Sequence, residues 1–327
     1  MTAITQLSVA QALRRAAVRA TLAPSVHNTQ PWRLVLNATS LELLCEPTRQ
    51  LQVLDPNGRQ MRISCGGALF NARVALAAAG YPVTVERLPD PTRPTLLARL
   101  TVSGDAVEPG LAGLDAAIEQ RRTNRRQFTS DEVPEQVLDK LAAAAAAEGA
   151  LLRRVTGEQN LIALATLTQR ADALQTTDPA YRAEVRAWTT ERRDRLDGVP
   201  VEAVPHSGQS FDDIPIRSFD IDGHGGLPAE THSSIHQTLL LLATPSDNSL
   251  AWLRAGEALE HTLLEITEAG LAVGILSQIA EVPAIRALVR AELGMSEHPH
   301  LVLRVGQAPA TPATRRRRLA DVLVEHL

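Results

Sequence analysis

The densest chemistry in the chain lies in Arg121-Arg122-Thr123-Asn124-Arg125-Arg126-Gln127-Phe128. Four guanidinium groups within eight positions present forked donors that match a phosphate, and Thr123 and Asn124 add neutral hydrogen bonds. An arginine run of this kind also occurs as a solvated turn between helices, so its meaning depends on the rest of the chain. A second unusual stretch is Ala23-Pro24-Ser25-Val26-His27-Asn28-Thr29-Gln30-Pro31-Trp32. Two prolines stiffen this loop and keep its polar groups pre-aimed. Gln30 and Trp32 read as structural, and His27 as either facing a site or exposed.

Other constellations are poorer. His232 and His236 stand four apart with no acidic partner, and Asp220-x-Asp222-Gly223-His224 lacks the remainder of a calcium loop, so no metal site is expected. Gly223-x-Gly225-Gly226 does not lie between a strand and a helix, and no Gly-x-Ser-x-Gly elbow occurs.

The elements that must position these residues read as follows. Ser8–Leu22 is an amphipathic helix with a Ser8 cap, and Arg33–Asn37 and Leu41–Cys45 form a strand hairpin. Gly66–Ala79 is a helix stopped by Gly80, followed by strands Val83–Arg87 and Leu96–Val102. Leu114–Arg122 is helical, as is the alanine-rich segment from Asp131 to Glu148, and Leu151–Thr156 is a strand. Gln159–Arg195 is helical with a break at Asp178-Pro179. Residues 197–231 are rich in Gly, Pro, Asp and Ser and lack periodicity; at that length they read as a lid or binding loop. Ile235–Thr244 and His300–Val305 are strands, and Leu253–Ala269 and Ala284–Leu293 are helices.

The 327 residues carry a net charge of −4 and few aromatics, which disfavours nucleic-acid binding. No apolar run is long enough to cross a bilayer. Only two cysteines occur, Cys45 and Cys65, without metal spacing, and the first residues show no signal pattern; a cytoplasmic location is expected.

A shift of about 190 positions superposes Gly66, Ala68, Leu69, Ala79, Gly80 and Val83 on Gly256, Ala258, Leu259, Ala269, Gly270 and Val273. The shared order of helices and strands predicts a duplicated α+β chain, with halves at 1–110 and 111–327 packed about a pseudo-twofold axis.

With both stretches in view, Arg122–Phe128 resembles the Arg-Arg-Ser-x-Arg-x-Phe phosphate motif of the FMN-dependent nitroreductase family. The loop at 23–32 resembles that family's Ala-Pro-Ser-x-x-Asn-x-Gln-Pro-Trp run. The likeness covers most of the chain except about 160–235 and is greatest to the double-length, Acg-like branch. It implies a nitroreductase-like fold, FMN as cofactor, NAD(P)H as reductant and a small nitroaromatic or quinone-like acceptor. It also implies an internal pseudo-dimer, existing as a monomer or weak homodimer. Ordinary members carry both motifs in each subunit; here each half keeps one, so one composite site and one dead pseudo-site are expected.

The resemblance places Arg122, Thr123, Asn124 and Arg126 at the FMN phosphate and ribityl chain, with Arg316 and Arg317 as C-terminal basic partners. Ser25, Asn28 and the Val26 backbone would meet the flavin from the first half. Leu276 and Ser277 would lie by the ring, where a backbone N–H can reach N5. No catalytic side chain is evident. Phe211, Ile214, Ile216 and Phe219 would pack the 197–231 segment over the flavin, and Asp212, Asp213, Asp220 and Asp222 would pair with nearby basic groups. The alternative function is FMN storage under a closed lid.

Overall fold

A computed structural model describes residues 7–103, 106–192, 194–206, 214–220, 223–228 and 237–326. The chain opens with α1 (Val9–Ala20), where Ser8 and Gln11 cap each other reciprocally. The loop at 21–31 leads to β1 (Trp32–Asn37) and β2 (Ser40–Cys45), followed by α2 (Arg59–Ala78), β3 (Val83–Arg87) and β4 (Leu96–Val102). Next come α3 (Asp115–Gln120), the arginine segment, α4 (Glu135–Ala147) and β5 (Leu151–Arg154). An insertion carries α5 (Glu158–Thr177), α6 (Pro179–Trp188) and the short pair β6 (Thr189–Thr190) and β7 (Val199–Pro200). The chain continues through β8 (Thr238–Thr244), α7 (Ser249–Glu268), β9 (Ala272–Leu276), α8 (Gln278–Glu281), α9 (Pro283–Glu292) and β10 (His298–Gly306). It ends with α10 (Leu319–Val322) and β11 (Leu323–His326).

Among the described residues, one sheet runs β11-β1-β2-β4-β3 and the other β5-β8-β10-β9. The inner order is the same in both, β1-β2-β4-β3 against β5-β8-β10-β9, and each of those pairings is antiparallel. This is the α+β, two-half architecture expected from the repeat. The chain's end returns to the first sheet, where β11 pairs parallel to β1. The second sheet is covered on both faces, by α4 and α7 on one and by α5 and α9 on the other. β8 is accordingly buried along its whole length, which explains its unbroken apolar run Leu239–Ala243.

The two halves meet where α2 crosses α7. Each helix has 20 residues, and their starts differ by 249 − 59 = 190 positions. Gly66 and Gly256 differ by the same offset and face each other at the crossing. A Cβ on Gly66 would lie 2.1 Å from Leu253 O, and one on Gly256 would lie 1.9 Å from Ile63 O. Only glycine lets these backbones approach so closely.

Several elements depart from the sequence reading: the helix read from Asp131 starts at Glu135, and the one read to Arg195 ends at Trp188, where β6 takes over. α2 starts at Arg59 rather than Gly66, because Gly58 turns left-handed (φ +67) and Asp55 Oδ2 accepts from Met61 N at 2.9 Å. The polar residues Arg59, Gln60 and Ser64 obscure the helical pattern there, yet all are buried. β9 and β11 were not anticipated: one is five residues long, the other four, and both take their order from neighbouring strands. The described parts of 197–231 hold β7, a turn of 3-10 helix at Val201–Ala203 and a bridge between Pro205 and Leu227. Among the described residues, no helix is long and apolar enough to cross a membrane.

Candidate functional site

The loop after α1 is strained and tightly held. His27, Asn28 and Gln30 have φ of 47°, 52° and 49°, a conformation that costs non-glycine residues energy and persists only where the surroundings enforce it. Ser25 Oγ accepts from Gln30 N at 2.9 Å. Asn28 Nδ2 donates to Gly198 O at 2.8 Å and Arg315 O at 3.1 Å. Gln30 Nε2 donates to Leu196 O at 2.9 Å, and Gln30 Oε1 accepts from Arg317 N at 2.7 Å. The loop is therefore clamped by the insertion on one side and the C-terminal arm on the other. Trp32 behind it is fully buried.

Two adjoining cavities open beside this loop. Both are lined by Pro24, Ser25, Thr123 and Arg125. These four shared residues join two cavities of unlike character.

One end is basic. Arg121, Arg122 and Arg316 line it, with Thr314 and Asn28. Arg316 Nη1 donates to Thr314 Oγ1 at 2.7 Å and Nη2 to Leu22 O at 3.2 Å. Arg122 Nη1 is fixed by Glu119 O at 2.6 Å and Arg121 O at 2.9 Å. Arg121 lies 3.7 Å from the carboxylate of Glu260 on α7. Burial pushes Arg316 down to about 9, helped by the like charge of Arg121. Guanidinium groups desolvated in this way gain most from an anion.

The other end is apolar. Ile63 on α2, Leu259 on α7, Ile275 on β9 and Leu301 on β10 line it, with Ile216 and Phe219 of the insertion. Arg125 marks the waist between the ends and lies 5.1 Å from the Phe219 ring. Burial pushes Arg125 down to about 10, with Arg217 adding to the shift. Arg217 is anchored differently: Nη2 donates to Glu281 Oε1 at 2.6 Å and Ser277 Oγ at 3.3 Å, and Nη1 donates to the Tyr181 hydroxyl. Burial disfavours both charges of this pair, yet Glu281 holds Arg217 above its usual value and Arg217 holds Glu281 below its own. His27 also lines this end, edge-on to Phe219 at 5.0 Å. Both its ring nitrogens are buried without a partner, and burial, with Arg217 and Arg125, keeps the imidazole neutral.

The structure brings together Ser25, Val26, Asn28, Arg122, Thr123, Asn124, Ser277 and Arg316 of the residues expected here. Several are already engaged. Val26 N donates to Ser64 Oγ at 3.1 Å. Asn124 turns its amide to Pro309 O at 2.7 Å and its Oδ1 to Arg126 N at 2.7 Å, so it shapes the arginine segment. Three expected residues line neither cavity. Leu276 is buried in the core beneath the second sheet, Arg126 lies beyond the cavity walls, and Arg317 is paired with Glu46 at 2.8 Å. Arg121 and Arg125 take the inward places instead. Gln60, Ser64 and Arg217 were missed as site residues, and His27, which the sequence left as either facing a site or exposed, faces it. Ile214 and Phe219 are buried, and Asp220 accepts from Gly225 N at 2.9 Å. Phe211, Asp212, Asp213, Asp222, His232 and His236 lie outside the described residues.

The model of the nitroreductase family matches residues 118–307, more than half of the chain. The chain belongs to the nitroreductase family. A Mycobacterium tuberculosis relative named "Putative NAD(P)H nitroreductase Rv3131" is 38% identical over 323 residues, which cover 96% of this chain and 91% of that protein. Another M. tuberculosis protein, "Putative NAD(P)H nitroreductase acg", is 32% identical over 305 residues, 92% of this chain and 91% of its own length. A solved nitroreductase with bound FMN from Desulfitobacterium hafniense is 14% identical and covers 64% of this chain and 96% of its own, with a TM-score of 0.41.

Within this nitroreductase the two halves differ at matched positions. Gly67 stands beside the basic end, with Ala23 and Glu260 each 3.7 Å from the Cβ it lacks. Its counterpart 190 positions on is Glu257, which is fully buried and paired with Arg73 at 2.8 Å and Arg87 at 2.6 Å. Arg73 also meets Glu148 at 2.5 Å. A buried ion cluster thus stands at the position matching Gly67.

Proposed function

We propose that the chain is an FMN-dependent oxidoreductase that takes hydride from NAD(P)H and passes it to a small nitroaromatic or quinone-like acceptor in the cytoplasm. The observation that carries this reading is the joined pair of cavities with a triple-arginine end and an apolar end, a shape and polarity that fit a phosphate monoester joined to a planar ring. The solved relative with bound FMN and the NAD(P)H in the names of the M. tuberculosis relatives support it. FMN would supply the hydride chemistry; the protein binds, orients and excludes water. Arg121, Arg122 and Arg316 would hold the phosphate, Thr123 and Asn28 the ribityl chain, and Arg125 the waist. Ser25, the Val26 backbone, His27 and Ser277 would border the ring. Because His27 is neutral and lacks partners, it can donate or accept one hydrogen bond there.

The site draws on both halves, with α2 and the 23–32 loop from one and the arginine segment, α7 and β9 from the other. One FMN per chain follows, with the counterpart space closed by the Arg73–Glu148–Glu257 cluster. The chain would thus act as an internal pseudo-dimer and needs no partner subunit to complete the site. Residues 214–220 act as its lid, with Arg217 latched to Glu281.

That latch also favours a second reading, FMN storage with little turnover, since Ile216, Arg217 and Phe219 occupy the approach to the ring end. Anaerobic addition of NADH or NADPH to the flavin-loaded protein separates the two. Rapid bleaching of flavin absorbance is expected for the oxidoreductase. A flavin that dithionite reduces but neither nicotinamide does would establish storage.

A further inference from the structure

Glu260 is a buried acid for which the binding roles above give no use. It projects from α7 behind the arginine end, is fully buried, and lies 3.7 Å from Arg121 Nε. Neither of its carboxylate oxygens has a hydrogen-bond partner. The same holds for Arg121 Nε, Arg316 Nε and the side-chain amide of Asn71. Unpaired buried polar groups are rare in protein interiors, and a cluster of them marks a place held ready for another charge.

The groups that face Glu260 come from three directions. α2 contributes Asn71, the arginine segment contributes Arg121, and the C-terminal arm contributes Arg316. Arg122 acts on Arg316 from outside. Nearby charges on α7 are occupied elsewhere: Glu257 pairs with Arg73 and Arg87, and His261 faces Glu148 at 3.3 Å. Burial pushes Glu260 up to about 7, against the pull of Arg121, the neighbouring Asn71 amide and Arg316. A phosphate monoester is mostly dianionic at neutral pH. An ionised Glu260 and an incoming dianion would compete for the same two guanidinium groups, and each would raise the energy of the other.

We propose that Glu260 is an internal counter-anion of the phosphate subsite, which takes up a proton when a phosphate monoester binds and thereby couples cofactor affinity to pH. The proposal rests on the FMN reading of the site. The balance is simple: the ionised acid, one proton from solvent and the dianionic ligand give a complex holding a neutral carboxylic acid, and no other bond changes. The sign follows from linkage. The acid's affinity for a proton is higher in the complex than in the free protein, so binding weakens as pH rises above the free value. Below it, Glu260 is already protonated and this dependence disappears, while the ligand's own second ionisation near about 6 acts in the opposite sense.

The test is calorimetric titration of the full chain, freed of flavin, with FMN and separately with riboflavin. Binding is measured at about pH 7 and about pH 8.5, in buffers of different ionisation heat. The Kd for FMN should rise about tenfold across that window, with uptake of up to about one proton per FMN at the upper end. Riboflavin, which has no phosphate, should show neither effect. Glu260→Gln should tighten FMN binding at the higher pH and flatten the dependence; if that variant fails to fold, the proton count on the wild type decides alone. FMN binding with no proton uptake, or an unchanged pH dependence in Glu260→Gln, overturns the proposal and leaves the cofactor reading intact. No FMN binding at either pH overturns both.

Discussion

Arg316 is the residue whose removal isolates the phosphate contact most cleanly. It is half-buried, it lines the basic end, and its bonds go to neutral groups, Thr314, Arg315 O and Leu22 O. Arg316→Ala should weaken FMN binding by about 1.5–3 kcal/mol, the usual worth of a charge-assisted hydrogen bond, and leave riboflavin binding nearly unchanged. Equal losses for both ligands, measured by fluorescence quenching, would put the guanidinium away from the phosphate. At this scale the sequence was partly legible. The arginine segment and the stiff proline loop do meet at the same cavities, but which arginines face inward depends on the twist of a segment without regular structure. Asn124 bonds to Pro309 O, and that contact turns Arg125 inward and leaves Arg126 outside. No local pattern encodes a contact 185 positions away.

A second residue-scale expectation concerns Glu148. Burial alone would raise its pKa, but His261 and Arg73 outweigh burial and hold it down to about 2. Its stabilising charge is present above the usual value of 4.5 and is lost as pH falls toward about 2. Glu148→Gln should cost about 3–5 kcal/mol at neutral pH, as expected for breaking a buried ion pair, and should flatten the acid limb of stability. Urea unfolding followed at about pH 7 and about pH 3 reads both effects. A variant that unfolds at the wild-type midpoint would remove Glu148 from the stability of the fold.

Among the elements, the α2–α7 crossing and the segment at 214–220 make opposite demands. The crossing must not move. Gly256→Ala would drive a methyl group into Ile63 O and should destabilise the protein by more than about 3 kcal/mol, visible as a lowered thermal midpoint or loss of soluble protein. Little change would mean that the helices are farther apart than described. On the reading proposed above, the 214–220 segment moves for a ligand to enter. Phe219→Ala removes the ring that packs on His27 and Arg125, and should speed both FMN release and dithionite reduction several-fold. Unchanged rates in a folded variant would place the segment outside the access route. Most long helices and strands were legible because their apolar periods are strong. The first turns of α2 were not, since Arg59, Gln60 and Ser64 are polar yet buried. β11 was not legible either, because four residues acquire strand order only by pairing with β1.

Across the whole molecule, duplication and divergence determine where function resides. The offset of 190 positions that aligns Gly66 with Gly256 also aligns Gly67 with Glu257, so matched positions hold a glycine in one half and a buried charge in the other. The repeat was legible because glycine and alanine positions at a helix crossing tolerate few substitutions. The buried cluster of Arg73, Glu148 and Glu257 was not, because these residues come from distant parts of the chain. The most direct measurement is the equilibrium stoichiometry of FMN on the purified, flavin-freed chain, titrated at known protein concentration. One FMN per chain is expected, bound by a monomer. Two per chain, or none, would contradict a single composite site built from both halves.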